Sequence, residues 1–323
     1  MLRNSLLLRG VMFFQLFAII LSFFVVFVNG FTDSPSSIAA AACSGAIPIK
    51  RARAICAAFN LLGTVLASLI CYSVAQFVYS LSSFGENGTR GVCAVFLTVI
   101  IFGMICLKFN LPSSESHAII ASLVGASFVS LGKATDIKRV GYVFVFMVLS
   151  CALGLIISFA LGKIINLNLP YKELQYLSCS LTSFMHGWQD GQKLLSVIAI
   201  LLGIGSARVP PWLILTVALV LSVGSYMGSS GIIKSLGQDL VFLNQKSSFI
   251  SDMGAYFSLL IFSLFGAPVS TGNVKSLSIM GAGLAEGEKI NKKVAVRLII
   301  VSLATFPVCF ILGALIMWLL LLF

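Results

Sequence analysis

Charge is what this sequence has least of. Asp, Glu, Lys and Arg together make up 10% of its 323 residues, whereas a soluble globular domain carries about 25%, so an ordinary soluble domain is excluded. Acids are scarcest, 10 against 21 bases. Histidine occurs only twice, as His117 and His186. No Cys-x-x-Cys pair is present, and the eight cysteines are scattered, most of them in apolar runs. That argues against zinc and thiol-redox spacings and against a disulfide framework. It leaves the cysteines as small packing residues. No linker is long enough to fold alone, and no nucleophile stands beside a base in a recognisable elbow.

Apolar residues fill the space that charge leaves: 59% of the chain, with a mean hydropathy of +1.07. Spanning a bilayer by helix takes about 20 apolar residues. Stretches of or near that length lie at 11–28, 54–74, 92–109, 141–162, 211–227, 253–266 and 294–323, and a shorter one at 194–204 resembles half of a broken helix. The sequence therefore predicts an all-α integral membrane protein, a single membrane domain over 1–323 that crosses the cell membrane several times. The net charge of +11 would suggest nucleic acid in a soluble protein. Here the bases cluster at Lys50–Arg53, Lys133–Arg139 and Lys289–Lys293, as loops facing anionic lipid do, and no nucleic-acid partner is expected. Arg3 and Arg9 before an apolar run imitate a signal peptide. The run is long for one and no small-x-small site closes it, so a retained first helix is expected.

Against this background, polar interruptions recur about half the chain apart. Asn29-Gly30-Phe31-Thr32-Asp33 is followed by Leu111-Pro112-Ser113-Ser114-Glu115-Ser116-His117. His186-Gly187-Trp188-Gln189-Asp190 is followed by Ala267-Pro268-Val269-Ser270-Thr271-Gly272-Asn273. The offset is 157 by the acids (190 − 33) and 156 by the prolines (268 − 112). Arg51 and Arg208 keep the register, each 18 positions after its Asp. One interruption alone reads most simply as a kink, since Pro and Gly are common in membrane helices. Four in register, each rich in Ser, Thr, Asp or Asn, predict a transporter whose site lies between two repeats. The expected repeats are 1–165 and 166–323. Their helices would be broken at Asn29–Pro35 and His186–Asp190, and re-entrant helix-turn-helix segments would lie at about 112–132 and 267–286.

A half-helix that begins inside the membrane presents unpaired N–H groups and a positive dipole end, which suit an anion. Ser113, Ser114, Ser116, Ser270 and Thr271 add neutral hydroxyl donors that would hold a tetrahedral oxyanion reversibly. Each serine taken singly is as well explained by a bond to its preceding turn. Asp33 and Asp190 lie deep in apolar surroundings, where a carboxylate must be paired, protonated or metal-bound. Na⁺ or H⁺ is the candidate counter-charge, with a salt bridge to Lys193 or Lys275 as the structural alternative. Lys193 shares a helix face with Asp190, and Lys275 sits inside the second re-entrant segment, within reach of an anion. His117, His186, Asn273 and Glu115 complete the pathway candidates, Glu115 as a group for a proton or cation instead of the anion. No cofactor is required. An intramembrane enzyme, with Asp33 and Asp190 paired and His186 as base, would not need two matched half-sites. A channel would not need occluding tips in both halves.

These residues are similar to those of the PiT family of inorganic phosphate transporters. Met185 to Lys193 resembles that family's HGxNDAQK segment, and Asn29 to Ser37 its first-half counterpart NGANDxxNA. Leu111 to Gly125 and Ala267 to Gly281 resemble the two LPVSSTHA hairpins, and Ile232 to Gly237 the IIKTMG-like stretch before the second. The resemblance runs from about Asn29 to Gly287. It implies inverted repeats, a homodimer, and uptake of phosphate driven by Na⁺ or H⁺. It implies that Asp33 and Asp190 serve the coupling cation, that Ser113, Ser114, Ser270 and Thr271 cradle phosphate, and that Gln192 and Lys193 support the site. The chain departs from the family at Thr32 and Gln189, where Asn is usual beside each Asp, and at Ser36, where a second Asn is usual. It departs again at Gly272-Asn273 and at Glu115. These are ligand positions, so sulfate or another oxyanion is the alternative substrate within the family. Four spanning helices and one re-entrant segment per half would make the halves parallel. Inversion needs a further crossing, for which 73–88 and 231–248 are the candidates.

Overall fold

A computed structural model describes residues 2–82, 84–111, 114–131, 136–165, 169–204 and 209–322, with side chains from Phe14 onward. Pro112, Ser113, Arg208 and part of the Lys133–Arg139 cluster lie outside the described residues. The first half comprises α1 (Leu2–Thr32), α2 (Pro35–Cys43), α3 (Ile49–Ile70), α4 (Ser73–Leu81), α5 (Gly88–Lys108), α6 (Glu115–Leu131) and α7 (Ile137–Ile164). The second comprises α8 (Tyr171–Leu201), α9 (Pro211–Met227), α10 (Ser230–Lys234), α11 (Gln245–Leu264), α12 (Thr271–Glu286) and α13 (Lys292–Leu321). The expected spans fall on α1, α3, α5, α7, α9, α11 and α13. Among the described residues, six stretches are long and apolar enough to cross a membrane, one of them α1 and α2 together, and α9 with Ser230–Asp239 forms a bent pair at 65° that makes a seventh. The chain is a multi-pass membrane protein.

The two expected breaks turn out differently. Pro35 has no N–H to donate, so α1 ends at Thr32 and α2 restarts at Pro35. Asp33 N–H still reaches Asn29 O (2.9 Å), and Ser36 N–H takes the nearer Asp33 O (3.0 Å), a tightened step between two nearly continuous helices. In the second half α8 runs unbroken through His186–Asp190. The position 157 after Pro35 is Gln192 (35 + 157), so nothing removes a backbone donor there. Gly187 and Gly191 serve close packing instead of a break. A Cβ on Gly187 would lie 2.2 Å from Asn60 O, and one on Gly191 2.4 Å from Thr64 Oγ1.

Residues 112–132 and 267–286 were expected to hold a helix-turn-helix each. The described parts are instead single helices, α6 and α12, of 17 and 16 residues. The hydroxyl-rich motifs sit at their starts, where Ser270 caps α12. The glycines further along, Gly125 and Gly281, stay helical against Phe310 O and Leu155 O. Each helix packs on the one before it, α6 on α5 and α12 on α11. The candidate extra crossings are short helices, α4 with 9 residues and Ser230–Asp239. At 1.5 Å per residue each is about 15 Å long, half a bilayer core.

Contacts between the halves are pseudo-symmetric. α1 packs on α9 as α8 packs on α3, and α6 packs on α13 as α12 packs on α7. Glycine makes the first pair of contacts close. A Cβ on Gly30 would meet Leu221 O at 2.4 Å and one on Gly224 would meet Phe27 O at 2.3 Å. In the other half the same relation joins Gly187 to Asn60 O at 2.2 Å and Gly63 to Phe184 O at 2.1 Å. Such backbone approach is how membrane helices gain packing energy without a hydrophobic driving force. It brings the step between α1 and α2, the middle of α8, and the starts of α6 and α12 to one buried place.

Candidate functional site

Two helix starts meet at this place. Ser116, in the first turn of α6, donates to Val269 O just before α12 (3.1 Å). Lys193 of α8 ties both to the acids: its Nζ donates to Ser116 Oγ (2.6 Å), Val269 O (2.6 Å) and Asp190 Oδ1 (2.8 Å). The expected salt bridge of Lys193 therefore forms, with Asp190, one helical turn away.

Three carboxylates converge around that lysine: Asp33, Glu115 and Asp190, all buried. Asn29 Nδ2 donates to Glu115 Oε2 (2.7 Å) and to Asp190 Oδ2 (3.3 Å). Thr32 Oγ1 donates to Glu115, and Thr271 Oγ1 donates to Asp33 Oδ2 (3.4 Å). His186 Nε2 lies 3.3 Å from Asp190 Oδ2. Its Nδ1 is 3.0 Å from Asn60 Oδ1, while Asn60 Nδ2 donates to Ser225 Oγ (2.9 Å) and Ser34 Oγ (3.1 Å). That assignment makes Asn60 Oδ1 the acceptor and puts the ring proton on Nδ1, so in the neutral ring the Nε2 lone pair faces Asp190. Ligand atoms of Asp33, His186 and Asp190 lie within 4.8 Å of one another. Asp33 Oδ1 and Asn29 Oδ1 have no hydrogen-bond partner among the described residues. Among the described residues, the result is a buried collection of acceptors with three carboxylates and the ammonium of Lys193. Such an excess of negative charge in low dielectric has to be offset by a cation or by protons.

Other sequence candidates occupy defined places. Ser114 Oγ pairs with His117 Nδ1 at the start of α6. Gln189 turns away from the acids: its Nε2 donates to Ser263 Oγ (2.7 Å) and Ala267 O (3.1 Å), and its Oε1 accepts Val269 N–H (3.3 Å). It braces the segment that leads into α12. Gln192 reaches α4, where its Oε1 accepts Ala75 N–H (3.2 Å). Asn273 donates to Ser302 Oγ of α13 (2.6 Å). Lys275 pairs with Asp252 of α11, apart from Asp33 and Asp190. Asn29 and Asn60 are the residues that sequence reasoning left out of the site. Asn60 is the one side-chain amide in α3, and a lone amide in an apolar span was the available signal.

The profile of the phosphate transporter family matches residues 29–169 and 166–313. A "probable low-affinity inorganic phosphate transporter" of Bacillus subtilis (strain 168) is 26% identical, over 89% of this chain and 91% of that protein. A protein of the same description from Mycobacterium tuberculosis (strain ATCC 25618 / H37Rv) is 28% identical, over 94% of this chain and 76% of its own length. Among solved structures, "the sodium-dependent phosphate transporter" superposes with a TM-score of 0.83 at 18% identity, over 96% of this chain and 99% of that one; at that identity the likeness speaks for the fold. With the family's profile covering both halves of the sequence, the chain belongs to the phosphate transporter family.

Proposed function

We propose that this chain is a secondary active transporter that takes up inorganic phosphate across the cell membrane, driven by a cation, with Na⁺ as the coupling ion. One observation carries the reading: Asp33, Glu115 and Asp190 gather around the single ammonium of Lys193, directly beside the starts of α6 and α12. Cation and anion sites are thereby adjacent, so each favours occupancy of the other. Asp33, Asp190 and Thr32 hold the cation, with Asn29 Oδ1 and His186 Nε2 as further ligands and Gln189 bracing from behind. The hydroxyls of Ser114, Ser116, Ser270 and Thr271, with the positive dipole ends of the two helices, hold phosphate; Lys193 joins the two sites. Names of the relatives, and of the structure that shares the fold, support phosphate and sodium. In this reading residues 1–165 and 166–323 are inverted repeats, α5–α6 and α11–α12 act as the paired hairpins, and two copies form the working unit.

The test is uptake of labelled phosphate into proteoliposomes under separate Na⁺ and H⁺ gradients, with sulfate and arsenate as competitors. Accumulation that follows the Na⁺ gradient and is inhibited by arsenate is expected. Accumulation driven by H⁺ alone would move coupling to proton uptake by the carboxylates. Preference for sulfate would overturn the substrate.

A further inference from the structure

Away from the central acids lies a second buried charge pair for which that reading has no use. Asp252 of α11 and Lys275 of α12 form a salt bridge, and both are almost fully buried. Asp252 Oδ2 also accepts from Gln175 Nε2 and from Ser178 Oγ (3.0 Å). Lys275 Nζ also donates to Ser251 Oγ (3.3 Å). Two buried polar atoms here, Gln175 Oε1 and Ser248 Oγ one turn from Asp252, have no hydrogen-bond partner among the described residues.

This pair is not demanded by the fold. The repeat offset places Gln175, Ser178, Asp252 and Lys275 opposite Ala18 (175 − 157), Leu21 (178 − 157), Val95 (252 − 157) and Ile119 (275 − 156). All four counterparts are buried members of the main apolar core. The same architecture is thus closed in the first half by an apolar core. Burying an ion pair there is in general no more stabilising than apolar packing, so the pair calls for a reason other than stability.

Its position supplies one. Gln175, Ser178, Thr182, His186 and Asp190 step along α8 by 3, 4, 4 and 4 residues, which keeps them on one face. All are buried, and together they draw a polar stripe about 22 Å long from the central acids to Asp252. A small cavity on this line is bordered by Thr182, His186, Thr271 and Lys275 with Ser36 and Ser37, and closed on another side by the apolar Ala255 and Leu259. The Lys275 ammonium, paired with Asp252, therefore stands at the far end of a polar stripe whose outer members Gln175 and Ser178 are matched in the other half by the apolar Ala18 and Leu21.

We propose that Lys275 is a second anion station on the transport route, latched by Asp252 in this conformation. Phosphate leaving or approaching the central site along α8 replaces Asp252 on the Lys275 ammonium. Asp252 meanwhile keeps the donors of Gln175 and Ser178, and Gln175 Oε1 is placed to accept the hydroxyl of hydrogen phosphate. No bond is made or broken; one carboxylate and one phosphate exchange places on an ammonium. This rests on the phosphate-transport reading above.

The decisive variant is Asp252→Asn with Lys275→Met, which removes both charges together and so leaves none unpaired. Labelled phosphate is the probe, measured by equilibrium binding to the purified protein and by initial uptake rate in proteoliposomes. Binding within about twofold of wild type with turnover lowered at least tenfold is expected. Wild-type turnover in the double variant would show the pair to be structural and overturn the proposal. Loss of binding together with turnover would put Lys275 in the central site and overturn it as well. Failure of the wild-type protein to take up phosphate would instead defeat the underlying reading. Ser178→Ala, which leaves both charges in place, is the second variant should the first not fold. Turnover lowered about threefold with unchanged binding is expected there, and unchanged turnover refutes the latch.

Discussion

Replacing Gly187 by Ala tests whether the helix contact that assembles the site is as tight as its geometry implies. The added Cβ would lie 2.2 Å from Asn60 O, 2.7 Å from Asn60 Cα and 2.8 Å from Asn60 C, where ordinary contact begins at 3.4 Å. All three obstacles are backbone, so no side chain can swing away. α3 and α8 must separate by about 1.2 Å (3.4 − 2.2). Two hydrogen bonds cross that contact, His186 to Asn60 and Thr64 to Gly187 O, each at 3.0 Å; stretched to about 4 Å they are lost. Overpacking costs about 1–3 kcal/mol and each lost bond about 1 kcal/mol. A total near 3–5 kcal/mol corresponds to a drop in apparent melting temperature on the order of 5–10 °C or more. Since Asn60 fixes the ring of His186 beside Asp190, phosphate uptake should fall with it. Gly141, in α7, has open space around its Cβ position, and Gly141→Ala should be neutral or stabilise by up to about 1 kcal/mol. A thermal scan and an uptake assay on the two variants side by side decide the matter. If Gly187→Ala behaves like Gly141→Ala, the backbone contact does not hold the site together.

Asp190→Asn should abolish accumulation of phosphate against a gradient. It leaves Asp33 and Glu115 beside the Lys193 ammonium, so its melting temperature should stay near that of the wild type. Adding Lys193→Met leaves those two buried carboxylates without their ammonium, at a cost of about 3–5 kcal/mol for a broken buried pair, and should lower the melting temperature without restoring accumulation. Concentrative uptake by either variant at the wild-type level would make Asp190 structural. Ser270→Ala removes a helix cap and a phosphate donor. Loss of a hydrogen bond to a charged group, about 1.5–3 kcal/mol, predicts an apparent phosphate affinity weaker by about tenfold to a hundredfold, and an unchanged KM would take α12 out of the anion site. Glu115→Gln should weaken the apparent Na⁺ affinity about tenfold or more by the same arithmetic while leaving the phosphate KM within about twofold. A superimposable Na⁺ titration would place Glu115 outside the coupling site.

The sequence alone determined the solvent, the class and the addresses of the polar residues. Scarce charge and long apolar runs admit only helices in a bilayer, because backbone groups must be satisfied within each segment. The 157-residue spacing set Asn29–Asp33 against His186–Asp190, and Ser113–His117 against Ser270–Asn273, because related positions carry similar chemistry. Tertiary structure decided which of those residues meet. Asp190 and Lys193 were legible as partners from helical spacing alone. Glu115 joining Asn29 and Thr32, across 86 and 83 positions, was not. Nor was Asp252 as the partner of Lys275, since the pairing depends on how α11 and α12 face each other. Local composition also misplaced a break: His186–Asp190 reads as an interruption, whereas packing against α3 uses Gly187, and Gly191 just beyond it, to bring the helices together, and α8 runs continuously through the site. A glycine's role depends on what stands opposite it, and that is fixed only when helices far apart in sequence dock.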